Sequence, residues 1–368
     1  MGDFSNYYDS TTVFLQTGQI PFSIKWTYTP ITMAVFAILF SAVDFTTGFT
    51  ILLICNLFSG MTVAYFSINI IKRKMELDIF DQALILLFAI FSIYPIVNMA
   101  LGQVNYILAA VITAGYFAYE RDEDIKAGVY FALAALPKLF PGLLGVYLIR
   151  NRSFKAAIAA IWTGVIGIII GALLFGMSNT RSYIEFLLSG GIKTGFFNNG
   201  PPSADAHIVT LSRPLSHIFP DASHLQYTVL SVLLMSVVLY VCYRDMSTLV
   251  DRLVAFTVTL IAMIIIIPPN MVYPVFVLFP IIPLLYLLDD PEVLGIYTTG
   301  ILVMNIIFVP TELKDIVAML PVQMGVLDWT MAIVTQVLSV ASGPLIGLLM
   351  IIAGSLLQSL KRDGPDAV

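Results

Sequence analysis

Four polar side chains are unusual in a chain that is otherwise strongly apolar. Gln103 and Asn105 form an amide pair between two hydrophobic segments, and Lys138 stands between two prolines in a nearly uncharged run. Asp3 opens an aromatic N-terminal segment that contains Tyr7. Polar groups at membrane depth are costly and usually face a cavity or a partner. A lysine there can neutralise a phosphate, amides can hydrogen-bond sugar or phosphate oxygens, and a carboxylate can take a proton from a hydroxyl.

Each of these residues also has a purely structural interpretation. Lys138 could extend to the interface or pair with a carboxylate. Gln103 and Asn105 could cap a helix and close a turn. Asp3 could be a solvated acid near a chain end, and Asp9 competes with it for any catalytic role. The residues alone therefore leave two alternatives open, a chemical site or a set of structural polar groups.

The composition is that of a membrane protein with many helical spans. Of the 368 residues, 59% are hydrophobic and 11% are charged, whereas soluble domains carry about 25% charged residues. The short alternating strands of a membrane barrel are absent from the pattern. A net charge of −5, without a basic patch rich in aromatic residues, gives no sign of a nucleic-acid partner. Two cysteines in hydrophobic runs and three histidines in one segment predict neither disulfides nor a metal cluster.

The hydropathy pattern predicts an all-α polytopic fold with about 10–12 membrane segments. The apolar runs cover residues 31–43, 49–71, 80–98, 104–119, 125–149, 154–175, 227–243, 249–267, 271–288, 293–309 and 330–360. The first run is short for a complete crossing and could be re-entrant. The run 125–149 is either one kinked span or two half-spans that meet at Pro137 and Lys138, because proline removes a backbone donor and bends a helix.

We predict a single membrane-embedded domain over residues 1–368, with two polar outer segments. Residues 1–30 are expected to form an outer N-terminal loop, with one amphipathic turn at 13–16, and residues 177–226 are expected to form a long outer loop. No basic region followed by an apolar core marks a cleavable signal peptide. The polar beginning is unusual for such a protein, and we expect that a leading transmembrane helix is missing from this sequence.

Lysines and arginines in short loops predict which side of the protein faces the cytoplasm. The basic residues within 150–155 are the strongest marker, and those at 244–252 and 361–362 agree with it. This assignment places the amide pair and Lys138 on the outer side. One conflict remains for the basic residues 72–74. They fit the cytoplasmic side, yet two crossings after an outer Asp3 would place them outside.

The order of several short motifs before residue 155 resembles a known family. The motifs are Asp3-Phe4-Ser5-Asn6-Tyr7, Gly18, Pro21-Phe22, Tyr28-Thr29-Pro30, Gly102-Gln103-Val104-Asn105, Ala127-Gly128 and Lys138-Leu139-Phe140-Pro141. Each is weak alone, but together they resemble the polyprenol-phosphate-mannose-dependent mannosyltransferases of the GT-C superclass. The resemblance is strongest to the α-1,2-mannosyltransferases, a family that includes the mycobacterial phosphatidylinositol-mannoside enzyme. Beyond residue 155 it rests on hydropathy alone.

The resemblance implies an inverting enzyme that transfers a hexose, with mannose expected, from a polyprenyl-phosphate donor to a hydroxyl of a lipid or glycan acceptor. Its site would lie on the outer face of the plasma membrane, among membrane lipids. By position, Asp3 would be the general base. The substrate-binding residues would be Tyr7, Tyr28, Gln103, Asn105, Lys138 and Asn270. A single displacement needs one base and a positive group on the leaving phosphate, so no metal and no further cofactor is expected.

Two departures from the family pattern limit what carries over. Thr29 replaces the second proline of the family's Tyr-Pro-Pro, and residues 268–273 occupy the place of a late Pro-x-Ser-Trp-x-His turn, so no histidine role carries over.

Two other functions remain open. Broken helices and a lone lysine also suit a secondary transporter or lipid flippase, although the C-terminal half shows few intramembrane charges and no matching half-repeat. The third possibility is an inactive relative that acts as an assembly subunit.

Overall fold

The structure, a computed structural model, describes residues 2–22, 28–188, 210–244, 246–266, 273–305 and 342–361. These residues are mainly helical, and no strand occurs among them. Within these ranges, five stretches are helical, long and apolar enough to cross a membrane: Phe45–Ile71, Ile79–Leu101, Phe154–Phe186, Leu249–Ile266 and Gly343–Lys361. The predicted all-α, polytopic membrane fold is confirmed.

The chain divides into two compact units, Met1–Asn199 with Val275–Pro283 and Gly200–Pro274 with Leu284–Val368. The α-helices of the first unit are α1 (Gly2–Thr17), α2 (Pro30–Phe40), α3 (Phe45–Ile71), α4 (Ile79–Phe91), α5 (Ile93–Leu101), α6 (Asn105–Tyr119), α7 (Asp124–Ala135), α8 (Leu144–Arg150) and α9 (Phe154–Leu188). A 3₁₀-helix, Phe140–Leu143, precedes α8.

The remaining described α-helices are α10 (Ser212–Ile218), α11 (His224–Cys242), α12 (Leu249–Ile266), α13 (Leu278–Leu287), α14 (Pro291–Met304) and α15 (Gly343–Lys361). In the second unit α14 packs along α15, and α11 and α12 pack on each other and on α15. Tyr297 and Ser355 share a buried hydrogen bond of 2.6 Å between α14 and α15. Lys361 closes the end of this pair by binding Asp290 at 2.6 Å and Glu292 at 2.8 Å.

Helices α3, α6, α7 and α9 pack side by side in the first unit. Gly128 permits the close approach of α7 to α9, because a Cβ atom there would lie 2.1 Å from the carbonyl oxygen of Ala156. The opposite face of α9 is apolar and exposed, with Trp162 at 62% and Leu173 at 79%. Together with the length and hydropathy of α9, this exposed apolar face fits contact with membrane lipid.

Residues 2–17, within the segment predicted as an outer N-terminal loop over residues 1–30, form helix α1. Phe4, Tyr7 and Thr11 recur at helical spacing and are at most 2% exposed. Phe4 makes edge contacts with the rings of Phe40 and Phe45, at centroid distances of 5.4 and 4.9 Å. The helix buries a face of aromatic and hydroxyl side chains, which an average over hydropathy does not detect.

The segment predicted as a long outer loop, residues 177–226, is largely helical in its described parts. Helix α9 continues to Leu188 through a kink at Gly176, whose φ of 81° and ψ of 154° are not helical. Helices α10 and the start of α11 occupy 212–218 and 224–226. Asn179, after the kink, accepts from the Ile20 amide at 2.9 Å and donates to the Gly18 carbonyl at 3.0 Å. The kinked end of α9 thus holds the segment that follows α1.

Helix α2 is too short to cross the hydrocarbon of a membrane. Its 11 residues span roughly 16 Å, about half the hydrocarbon thickness. Tyr28, just before α2, contacts Tyr7 at 5.3 Å between ring centroids, and Phe40 at its end contacts Phe4. Helix α3, with 27 residues, is long enough to cross, and residues 72–74 follow its end. The length of α2 agrees with the re-entrant alternative for residues 31–43.

The run 125–149 is divided into two helical parts around Pro137 and Lys138, as in the alternative with two half-spans. Helix α7 ends at Ala135, and a 3₁₀-helix and α8 follow Lys138. The run 80–98 is also broken, at Ser92, three residues before Pro95. Pro95 itself lies within the first turn of α5, where its missing amide proton is tolerated. Both breaks bring a helix end and a turn into the first unit's interior.

Candidate active site

The turn between α5 and α6 is built on Gly102. This residue has the left-handed conformation, with φ 68° and ψ 42°, which ends α5. A Cβ atom there would lie 2.6 Å from the Cβ of Phe4 on α1, so the position requires glycine for conformation and for space. The following amide, that of Gln103, donates to the Asn98 carbonyl at 2.8 Å. The turn therefore places the Gln103 side chain against α1.

A chain of hydrogen bonds connects an ammonium to a carboxylate across this turn. Lys138 Nζ donates to Asn105 Oδ1 at 2.7 Å, and Asn105 Nδ2 donates to Gln103 Oε1 at 3.2 Å. Gln103 Nε2 donates in turn to Asp3 Oδ2. Every donor points from the lysine towards the carboxylate, so the group dipoles align and reinforce one another. Gln103 is 6% exposed and Asn105 is fully buried.

Two tyrosines complete the polar cluster. Tyr7 donates to Gln103 Oε1 at 3.0 Å, and its oxygen lies 2.6 Å from that of Tyr28. A phenol carries one proton, so Tyr28 donates to Tyr7 in this arrangement. The Tyr28 ring also lies 5.0 Å from Lys138 Nζ, within the range of a cation–π contact. Gln103 is the centre of the cluster, because it binds the base candidate, the second amide and a tyrosine.

Lys138 lies in the turn after α7, outside the helices. Burial lowers the pKa of its ammonium group to about 7, and the nearby Asp3 carboxylate acts in the opposite direction. An anion bound beside Lys138 would favour the charged form and raise this pKa again. The turn therefore holds a cation whose charge responds to the ligand.

The structure brings together most of the residues predicted for the site. The cluster, defined by the contacts above, contains Asp3, Tyr7, Tyr28, Gln103, Asn105 and Lys138. Asp9, the competing acid, is exposed on another face of α1. Asn270 lies outside the described residues.

Asn56 on α3 was missed by the sequence reasoning. It is fully buried and donates to the Gln103 carbonyl at 3.1 Å. An amide near the middle of an apolar helix of 27 residues is the signal that could have found it.

An apolar groove of about 540 Å³ lies beside the cluster. Thr29 follows Tyr28 at one edge, and Leu136 and Leu139 flank Lys138 at the same edge. The Thr29 hydroxyl donates to the Leu136 carbonyl at 2.5 Å, which ties the two edges together. Residues of α7, α8 and α9 form the rest of the lining, and several are glycine or alanine: Ala132, Ala135, Gly142, Gly145, Ala157, Ala160, Gly164, Gly167 and Gly171. The small side chains leave room for a long apolar ligand.

The loops at the other end of the first unit carry its basic residues. We call loops 72–74, 120–124 and 150–155 the basic end. Arg73 donates to the Glu120 carbonyl at 3.2 Å, and Ser153 donates to Asp124 at 2.6 Å. Helix α6 connects the cluster to this end, and its 15 residues span roughly 22 Å. The cluster and the basic residues thus occupy opposite ends of the same helices.

Comparison with known proteins gives one match. A sequence model described as glycosyltransferase family 87 matches residues 26–268, about two thirds of the chain. The matched range contains Tyr28 and the later residues of the cluster, whereas Asp3 and Tyr7 precede it. No curated protein and no solved structure matches the chain.

Proposed function

The chain belongs to glycosyltransferase family 87, and from this premise we propose that it transfers a hexose, mannose, from a polyprenyl-phosphate donor to an acceptor hydroxyl. It is a membrane glycosyltransferase by family and by fold. The observation that carries the proposal is the hydrogen-bonded chain between Asp3 and Lys138. It joins a carboxylate that could deprotonate the acceptor hydroxyl and an ammonium that could bind the donor phosphate. Both lie beside an apolar groove that could hold the lipid chain.

The proposed reaction is a single displacement with inversion at the sugar. Asp3 takes the proton of the acceptor hydroxyl while the oxygen of that hydroxyl forms a bond to the anomeric carbon. The bond from that carbon to the phosphate oxygen breaks, and its electron pair leaves with the polyprenyl phosphate. Lys138 and Asn105 stabilise the added negative charge on the phosphate. Gln103 holds Asp3, and Tyr7 and Tyr28, which are linked to Gln103, provide hydrogen-bonding groups for the sugar.

The apolar groove supports a lipid-linked donor over a soluble sugar nucleotide. Its lining residues next to Lys138 would place a phosphate at the lysine while the hydrocarbon chain extends along α7 and α9. Burial of apolar chain length stabilises such a complex by about 0.8 kcal/mol per methylene group. A sugar nucleotide has no group that would gain from this surface.

The basic end supports a site on the outer face of the plasma membrane. Basic loops favour the cytoplasmic side, and loops 72–74 and 150–155 lie together at the end opposite the cluster. The polyprenyl-phosphate sugar would then be used at the outer leaflet, where the acceptor lipid or glycan is also expected.

The main test measures sugar transfer in membranes that contain the protein. Membranes with and without the chain receive radiolabelled polyprenyl-phosphate mannose, and labelled product is separated from donor. We expect Asp3→Asn to reduce transfer by about 10²–10⁴-fold, because the base is lost. Asp9→Asn, the same change on the exposed face of α1, should keep wild-type activity.

Equal transfer by wild type and Asp3→Asn would remove Asp3 from the mechanism. Faster transfer from polyprenyl-phosphate glucose than from the mannose donor would show that glucose, and not mannose, is the sugar transferred. Movement of labelled lipid between leaflets without glycoside formation would favour the flippase alternative.

A second test addresses the lipid chain of the donor. A Cβ atom at Gly164 of α9 meets no atom within 4 Å and points into open space at the groove. Gly164→Leu should fill the groove and raise the donor KM by roughly tenfold for long polyprenyl chains, with little change for very short ones. Gly295→Leu on α14, also open to its surroundings, is the matched control. A donor KM that is independent of chain length in the wild type would contradict the groove assignment.

A further inference from the structure

Asn56 is a buried amide in the middle of the apolar helix α3. Its Nδ2 group donates to the Leu52 carbonyl of its own helix at 3.0 Å and to the Gln103 carbonyl at 3.1 Å. Both neighbours of this group are carbonyl oxygens, so the nitrogen and not the oxygen must face them. The orientation of the amide is therefore determined by its surroundings.

The other half of the same amide is not used within the described part of the chain. Asn56 Oδ1 is buried and has no hydrogen-bond partner there. A buried oxygen in this state is unfavourable for folding. A residue that served the fold alone would be better replaced by serine, which can bond to the carbonyl four residues earlier, as Ser59 does to Cys55 at 2.8 Å. The contact with Gln103 is what asparagine adds.

The backbone of Gln103 is held on both sides by this arrangement. Its amide donates to the Asn98 carbonyl at 2.8 Å, and its carbonyl accepts from Asn56. The side chain of Gln103 in turn binds Asp3, Tyr7 and Asn105. A rotation of the peptide that follows Gln103 would move Asn105 as well, and with it the bond to Lys138.

We propose that Asn56 is a positioning residue for the transfer reaction. It fixes the Gln103 peptide so that the two amides hold the Asp3 carboxylate and the Lys138 ammonium in register across the bound donor. Asn56 touches neither substrate, and it acts through Gln103. This inference rests on the proposed glycosyltransfer.

The test compares Asn56→Ser with wild type in the full-length membrane protein. Serine keeps the bond within α3 and loses the bond to Gln103. We expect kcat to fall by about tenfold to hundredfold, because a small misplacement of reacting groups has effects of this size. The donor KM should stay within about twofold, since the lipid groove and Lys138 remain. The thermal unfolding midpoint should change little, because the unpaired Asn56 oxygen is removed while the Gln103 carbonyl loses its donor.

Two further variants separate positioning from a general effect on the fold. Ser67→Ala, on the same helix, removes a buried hydroxyl that has no hydrogen-bond partner in the described residues, and it should leave kcat unchanged. In a Gln103→Ala background, Asn56→Ser should lower kcat by a smaller factor than in wild type, because the part of its effect that passes through the Gln103 side chain is already lost.

Wild-type kcat in Asn56→Ser, or equal losses with and without Gln103, would overturn the inference while the proposed function stands. A wild-type protein that transfers no sugar would overturn both.

Discussion

The two ends of the first unit handle polar groups in opposite ways. At the basic end, Lys126 and Glu123 form an ion pair at 2.8 Å with side chains 66% and 34% exposed. Arg121 lies near the same carboxylate at 3.7 Å and is 56% exposed. At the other end, Asp3 and Lys138 are joined through two amides, of which Asn105 is fully buried. One end is a solvated surface, and the other is a preorganised interior cluster.

This difference shows which polar groups can act on a ligand. Water screens the pairs at the basic end, and such pairs contribute little to stability. The interior cluster is poorly screened, so each of its groups exerts a stronger field on a bound anion. The basic end carries more charge, and its basic residues are those that predict orientation in the membrane.

The same substitution at the two ends is the strongest test of this comparison. Lys138→Gln should lower kcat/KM for the donor by about 10²–10³-fold, because the leaving phosphate loses its cation in a buried site. Lys126→Gln should leave kcat/KM unchanged, because its pair is exposed. Both are measured by transfer from radiolabelled donor at matched protein levels. Similar losses of kcat/KM at both positions would show that the buried cluster and the basic end do not differ in their effect on the donor.

A pair of glycine substitutions tests whether the interior cluster is rigid. Gly102→Ala introduces a strained positive φ and a contact with Phe4, so the free energy of unfolding should fall by about 2–4 kcal/mol. Gly18→Ala has a similar φ of 69° but meets no atom within 4 Å. It should lose only about 1–2 kcal/mol. Denaturant titration in detergent measures both, and equal losses would show that the turn is not closely packed on α1.

The pH dependence of the donor KM tests the interior cluster through the smallest expected effect. The pKa of Lys138 is lowered to about 7 in the free protein. Below that pH the lysine is already charged, and above it donor binding must take up a proton. The donor KM should therefore be constant below pH about 7 and rise above it, by at most about tenfold per pH unit. Lys138→Arg should remove the rise, because arginine stays charged. A rise that persists in this variant would belong to another group.

Much of the helical framework follows from the sequence. Segments such as α3 and α12 are long, apolar and bounded by polar residues, so hydropathy places them within a few residues. The kink of α9 and the helix α1 were not predicted, and for different reasons. Gly176 lies where the sequence becomes polar, and hydropathy therefore predicts that the helix ends there. Helix α1 buries Ser10 and Thr11 in place of apolar side chains.

The candidate site was predicted in part. Asp3, Gln103 and Lys138 were chosen by residue type and by a family resemblance, and the structure places them in one hydrogen-bonded cluster. Their catalytic and binding roles stay predictions. Asn56 was not chosen, because an amide in an apolar helix is equally consistent with many local contacts, such as the bond of Asn69 to the Tyr65 carbonyl of the same helix.

The sequence by itself determined that this chain lies in a membrane, where most of its long helices run, and which side chains could act on a phosphate and a hydroxyl. Those properties depend on local composition and spacing. Only the tertiary structure decided that Asp3 meets Gln103 across 100 residues and that Asn56 binds the turn that carries Gln103. Such contacts depend on how helices pack and how a left-handed glycine directs the chain, which residue order does not encode in any local window.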